Sequence, residues 1–330
     1  MSNSELDPQE ITCPPGPPEV DVEVLEPRLV PLGGPRAMTV RRTLPQRSRS
    51  LIGAWCFADH YGPDDVRSSG GMAVPGHPHT GLQTVTWLFT GEVDHRDTLG
   101  SVQRIRAGEV NLMTSGRGIA HSEYSTSETT TLHGVQLWTA LPEAARFADR
   151  GFEHYVTEPV QHGPATVRTF VGSFAGSSSP VTTYSPLVGA EITVPAGSEV
   201  RFELDPSYEH GVLVDLGPVQ VDGFHVEPAA LSYHPLGRTT LVLRTGDVAG
   251  RVVLLGGTPL DEEIVMWWNF IGRDHEEIVR FRAEWMAQVH AAADADDDAY
   301  GPFPEAWGGA VLPAPELPHT RLMPRKRPPV

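Results

Sequence analysis

Two short segments carry side chains that could do chemistry together. His77-Pro78-His79 places two imidazoles two residues apart, and His121-Ser122-Glu123, about forty residues later, places an imidazole and a carboxylate at the same spacing. Successive side chains of an extended strand point to opposite faces, so an i, i+2 pair aims both groups the same way. If the two segments are strands that oppose one another inside a small barrel, three imidazoles and one carboxylate converge on a point. That donor set suits a divalent transition metal such as iron, manganese, nickel, copper or zinc.

Positioning four groups in this way requires a β scaffold, and the chain reads as one. Val20 to Leu25 alternates with period two and is expected to open the folded part as a strand. From there to about Leu141, short apolar runs are punctuated by Gly and Pro, as in a β sandwich or barrel. Residues 84–89 and 132–138 are clear strands, and Leu141-Pro142 closes a first domain spanning 21–142. Residues 143–150 form a short link of helical composition. A second series of strand-like pieces follows at 166–172, 191–195, 199–204, 211–216, 239–244 and 251–255, spaced much as in the first half, giving a second domain over 143–260. In the C-terminal part, 261–330, residues 274–290 have amphipathic helical spacing. Ile278, Phe281, Trp285 and Val289 recur every three or four residues, and Asp274 with Glu277 forms an N-cap signature. Residues 1–20 read as a Pro-rich disordered leader, 294–298 as an acidic linker, and 302–330 as an extended Pro-rich tail ending in Arg325-Lys326-Arg327.

The context of the four groups adds a resemblance. Gly71, five residues, then His77-Pro78-His79 resembles the first motif of the cupin superfamily, and residues 108–121 resemble the second. More narrowly, the segments LIGAWCFADHYGP (51–63), HPHTGLQTVTWL (77–88), GEVNLMTSGRGIAHSE (108–123) and LHGVQLW (132–138) resemble the pirin family of cupins. The resemblance is dense from Leu51 to Leu141 and looser beyond. It implies an all-β bicupin: two jelly-roll barrels in tandem, followed by the C-terminal helix and tail. It also implies that His77, His79, His121 and Glu123 are the metal ligands, with Fe2+ as the ion and Mn2+, Ni2+, Cu2+ or Zn2+ as alternatives by loading. Where the second barrel should carry its own histidine pair, residues 184–191 have none, so that barrel is expected to be degenerate, metal-free and structural.

Other residues near the motifs are read with their alternatives open. Gln83 stands where many cupins have a carboxylate; it either hydrogen-bonds a ligand or packs as a core residue. His133 and Gln136 share a strand but differ in parity, so at most one lines the barrel, and either can be a plain structural residue. Trp87 and Phe89 face opposite to Leu88, and one of these faces should wall the cavity. Gly116 and Gly118 permit the turn that starts the His121 strand. Arg117 between them is assigned no chemistry. His60 reads as structural and Cys56 as a buried thiol.

Bulk properties exclude several function classes. With 25 Lys and Arg against 42 Asp and Glu, the chain carries a formal charge of −17, which opposes direct contact with nucleic acid or an anionic membrane. Two cysteines, Cys13 and Cys56, give no disulfide framework, and the N-terminal residues lack the features of a secretory signal. A reducing cytoplasm is the expected setting. Two functions fit a resemblance to pirins. One is a non-haem iron dioxygenase acting with O2 on an enol or phenol such as a flavonol, with Glu123 doubling as the catalytic base. The alternative is a non-enzymatic iron or redox sensor acting through a protein partner.

Overall fold

The computed structural model describes residues 22–32, 38–290, 299–303 and 311–324. The leader 1–20 with Cys13, the acidic run 294–298 and the basic tract 325–327 lie outside the described residues. The architecture is all-β, with two tandem cupin barrels and one long C-terminal helix.

Each barrel pairs a seven-stranded antiparallel sheet with a four-stranded one. In the first barrel the large sheet runs Gly151–Val156, Glu109–Thr114, Leu82–Thr90, Thr131–Ala140, Trp55–Asp65, Met38–Leu44, Arg28–Leu32. Facing it, the small sheet runs Ala73–His79, Ile119–Ser125, Glu92–Asp97, Val102–Arg106. The second barrel repeats the plan, with Leu187–Val194, Glu209–Leu216 and Gly250–Gly257 at the centre of its large sheet.

The opening strand departs from expectation. Glu23–Leu25 does not join the first barrel; it pairs with Leu231–His234 at the edge of the second. Alternation identified it as a strand, but period two carries no information about which sheet edge a strand completes. The link at 143–150 is also not helical. It is a chain of turns, with Ala145 N–H donating to Pro142 and Ala148 N–H to Ala145. Arg146 within it pairs at 2.7 Å with Glu277 of the C-terminal helix, so tertiary contacts outweigh local propensity.

The parity of each strand sorts its side chains between the first barrel's interior and the second barrel. On Leu82–Thr90, Leu88 packs inside with Tyr61, Val74 and Val93. Trp87 faces the other way, stacking on Phe170 of the second barrel at 4.9 Å and donating its indole N–H to Glu191. Glu191 ends the 184–191 segment, so its carboxylate is spent on the barrel–barrel contact. Gly53 marks a close approach of the two backbones. A Cβ there would lie 2.8 Å from Cα of Gly257, and its N–H donates to Glu209.

The helix His275–His290 is capped by Asp274, which accepts from Glu277 N–H. It buries Ile278, Phe281 and Trp285 as its spacing predicts, while Gln288 rather than Val289 completes the buried face by bonding the backbone of Gly301 and Tyr300. No helix among the described residues is long and apolar enough to cross a membrane.

One ion pair is fully buried in the first barrel. Arg42 grips Asp59 in a fork, Nε to Oδ1 at 2.6 Å and Nη2 to Oδ2 at 2.8 Å, with the guanidinium over Phe57. Asp59→Ala would remove the buried carboxylate that the guanidinium grips and is predicted to cost about 3–5 kcal/mol. Urea unfolding checks this; a midpoint unchanged from wild type would show that the pair is dispensable.

Candidate metal centre

The four groups singled out in the sequence lie on two neighbouring strands. Ala73–His79 and Ile119–Ser125 pair antiparallel with His77 opposite His121, and a register shift between His121 and Glu123 places Glu123 across from Val74. All four side chains are buried, at 0–1% exposure. The rings of His77, His79 and His121 lie 4.4–5.0 Å apart, and their ligand atoms fall within 4.8 Å of one another. Glu123 falls in an overlapping set with His121 and His95, so His121 is the ring common to both.

Hydrogen bonds fix which nitrogens face the centre. Nδ1 of His77 donates to the Pro75 carbonyl at 2.8 Å, leaving Nε2 buried without a hydrogen-bond partner. Nε2 of His79 and Nε2 of His121 stand 3.1 Å apart. His121 is oriented through a relay: Asp97 accepts from Nε2 of His95 at 3.1 Å, and Nδ1 of His95 faces Nδ1 of His121 at 3.3 Å. Asp97 is itself held by the backbone N–H groups of Leu99 and Ser101. Burial lowers the proton affinity of all three rings, holding His77 down to about 3 and His79 and His121 well below the usual range. The rings are therefore neutral near pH 7, the state in which imidazole binds a metal. A buried His77 nitrogen without a donor, beside Nε2 of His79 and Nε2 of His121 that face each other, is an arrangement a divalent cation satisfies. The residues fit the metal.

Around the centre, Trp138 stands edge-on to His79 with ring centres 5.1 Å apart and stacks on Phe57 at 4.0 Å. The Thr86 hydroxyl lies 3.1 Å from Glu123 and 2.9 Å from Oε1 of Gln136, linking Gln136 to the carboxylate. Gln136 is thus on the inner face of its strand and His133 on the outer, where it meets His60 and Asp215 of the second barrel. Gln83 is also on an outer face. Its amide donates to Thr114 and to the Thr182 carbonyl, with Thr139 at 3.4 Å from Oε1, and none of its bonds reaches the four groups. Parity accounts for this, because Gln83 and Thr86 are three residues apart on one strand.

His95 and Asp97 were not singled out in the sequence. The signal was present: they form another i, i+2 pair on the strand Glu92–Asp97, whose buried positions are Val93, His95 and Asp97. The C-terminal segment adds a brace that local patterns could not reveal. Ile271 N–H donates to Thr80 and Leu312 N–H to Gly76, flanking His77 and His79, while Trp285 donates to Leu312. Ala120, next to His121, joins the apolar cluster formed by Trp267, Phe270 and Phe281.

His77→Ala and Glu123→Ala are each predicted to lose the metal equivalent held by this cluster while the barrels stay folded. Elemental analysis with circular dichroism reads both, and full retention of metal in either folded variant contradicts that residue's assignment. His95→Phe keeps a ring against Phe152 but removes the partner of His121, so metal affinity should fall about 10–100-fold with all four groups intact. Equilibrium dialysis giving wild-type affinity would remove the relay from the account.

Comparison with known proteins agrees with this geometry. Residues 37–139 match the Pirin family, and residues 189–290 match the Pirin C-terminal cupin domain. A Pseudomonas aeruginosa protein provisionally named a quercetin 2,3-dioxygenase is 42% identical over 292 residues, covering 88% of this chain and 89% of its own. A pirin-like protein of Caulobacter vibrioides is 33% identical, over 81% of this chain and 94% of its own. The crystal structure of a quercetin 2,3-dioxygenase from Acinetobacter baumannii superposes with a TM-score of 0.85 at 34% identity, covering 92% of this chain and 98% of that one. The chain belongs to the pirin family of the cupin superfamily.

Proposed function

We propose that this pirin is a metal-dependent dioxygenase acting on an enol or phenol of flavonol type. The observation that carries the reading is the convergence of three neutral, buried imidazoles on one point, with Nε2 of His77 lacking any protein partner. The name of the 34% identical Acinetobacter structure supports the same chemistry. Three histidines and one carboxylate leave up to two positions open on an octahedral ion, which favours a catalytic centre over a closed structural one. Iron held there would supply Lewis acidity toward a substrate oxygen and redox capacity toward O2. Mn2+, Ni2+, Cu2+ and Zn2+ are alternatives that the donor set also accepts.

The protein's own groups have separate tasks in this reading. Glu123 accepts the proton of the substrate hydroxyl, and the Thr86 hydroxyl holds that carboxylate in place. The phenol of Tyr61, Nε2 of Gln136 and the indole N–H of Trp138 are buried without hydrogen-bond partners, a supply of polar groups for an oxygen-rich ligand. Burial of the whole cluster excludes bulk water. The setting is a cytoplasmic one, consistent with a buried Cys56 thiol outside any disulfide. A second reading is a non-enzymatic iron sensor, whose net charge of −17 suits a basic protein partner.

Oxygen uptake by the iron-loaded protein with a panel of flavonols and enediols separates the two. The dioxygenase reading predicts substrate-dependent uptake that is abolished by chelation and by Glu123→Ala. No uptake across the panel, with iron bound, favours the sensor.

A further inference from the structure

A second set of ligand-type side chains meets between the two barrels. His60 and His133 lie on adjacent strands of the first barrel, Trp55–Asp65 and Thr131–Ala140, and Asp215 on Glu209–Leu216 of the second. Nε2 of His60 and Nε2 of His133 each lie 2.6 Å from the same atom, Oδ1 of Asp215, and 3.3 Å from each other. The His60 and Asp215 side chains are 2% and 0% exposed, and that of His133 is 7% exposed. Arg251 bonds the other carboxylate oxygen at 2.6 Å, which turns Oδ1 toward the rings. Phe89 stands edge-on to both imidazoles and carries the Arg251 guanidinium on its face.

We propose that His60, His133 and Asp215 form a second divalent metal site, of the type that takes zinc, joining the two barrels. Imidazole nitrogen and carboxylate oxygen are ordinary zinc donors, and bonds of about 2.0–2.1 Å at tetrahedral angles place neighbouring donors about 3.4 Å apart. The two imidazole nitrogens already have that separation. Each ring must withdraw from Oδ1 by less than about 1 Å to admit the ion. Water reaching the exposed edge of His133 completes the coordination. The carboxylate is held by Arg251 as the outer partner of a metal ligand should be. Arg251 and Arg41 also oppose a cation, since the charge of Arg41 reaches both His60 and Asp215. This site is therefore weaker than the His77 cluster and fills after it. The inference does not depend on the dioxygenase reading, because neither its residues nor its test involves turnover.

The test is zinc titration of the chelator-stripped full chain by equilibrium dialysis, with Co2+ absorption as a probe of tetrahedral geometry. Wild type should take two equivalents in sequence, His133→Gln one, and a His77→Ala, His121→Ala chain one that is lost when Asp215→Asn is added. Zinc should also raise the melting temperature of the His77→Ala, His121→Ala chain, since the ion links strands of both barrels. A wild-type chain that saturates at one equivalent overturns the proposal, whether or not the multiple variants fold. So does a second equivalent that persists in folded His133→Gln, which would mean that the triad is a hydrogen-bonded contact only.

Discussion

The structure depends on keeping three imidazoles buried with their ring nitrogens facing one another. Nε2 of His79 and Nε2 of His121 stand at hydrogen-bond distance, 3.1 Å, with an unpartnered Nε2 of His77 nearby, a cluster of nitrogen donors that a cation can occupy. A barrel left to itself would break this up by rotating a ring or admitting water. Here each escape is blocked by a specific contact. The Pro75 carbonyl holds His77, the His95–Asp97 pair holds His121, and Trp138 packs against the edge of His79. The backbone of the strand bearing His77 and His79 is held in turn by Ile271 and Leu312. The C-terminal segment, remote in sequence, is thus part of the centre's support.

The second barrel supports the first from the opposite side. Trp87, Gln83 and His133 all turn outward from the first barrel and meet Glu191, Thr182 and Asp215. An odd–even split along two strands thereby serves two purposes, since the same strands present Thr86 and Gln136 to the carboxylate inside. The burial of Glu191 raises its proton affinity, a cost offset in part by the Trp87 indole N–H. The swapped strand Glu23–Leu25 and the close approach at Gly53 bind the barrels further.

Much of this was legible in the residues. Strand spacing put His77 and His79 on one face and His121 and Glu123 on another, expected to oppose inside a barrel, whereas the structure pairs the two strands side by side. The separation of His133 from Gln136 followed from counting parity. Applying the same count to Gln83 would have placed it outside, and applying the i, i+2 rule to His95 and Asp97 would have found the relay. What was not legible was partnership between distant segments. Nothing local in residues 20–25 specifies an edge of the second barrel, and nothing in residues 143–150 reveals that Arg146 will prefer Glu277 to a helix. The meeting of His60 and His133 with Asp215 likewise exists only once two barrels have docked, because the carboxylate arrives from about eighty residues further along the chain.

The central claim is that the inward nitrogens of His77 and His121 are lone pairs set by the protein before any ion arrives. Long-range proton–nitrogen NMR of histidine-labelled, metal-free protein at neutral pH reads the tautomer of each ring directly. The account predicts that His77 and His121 carry their proton on Nδ1, with Nε2 unprotonated and shifting when zinc is added. Rings protonated on Nε2, or charged at neutral pH, would contradict it.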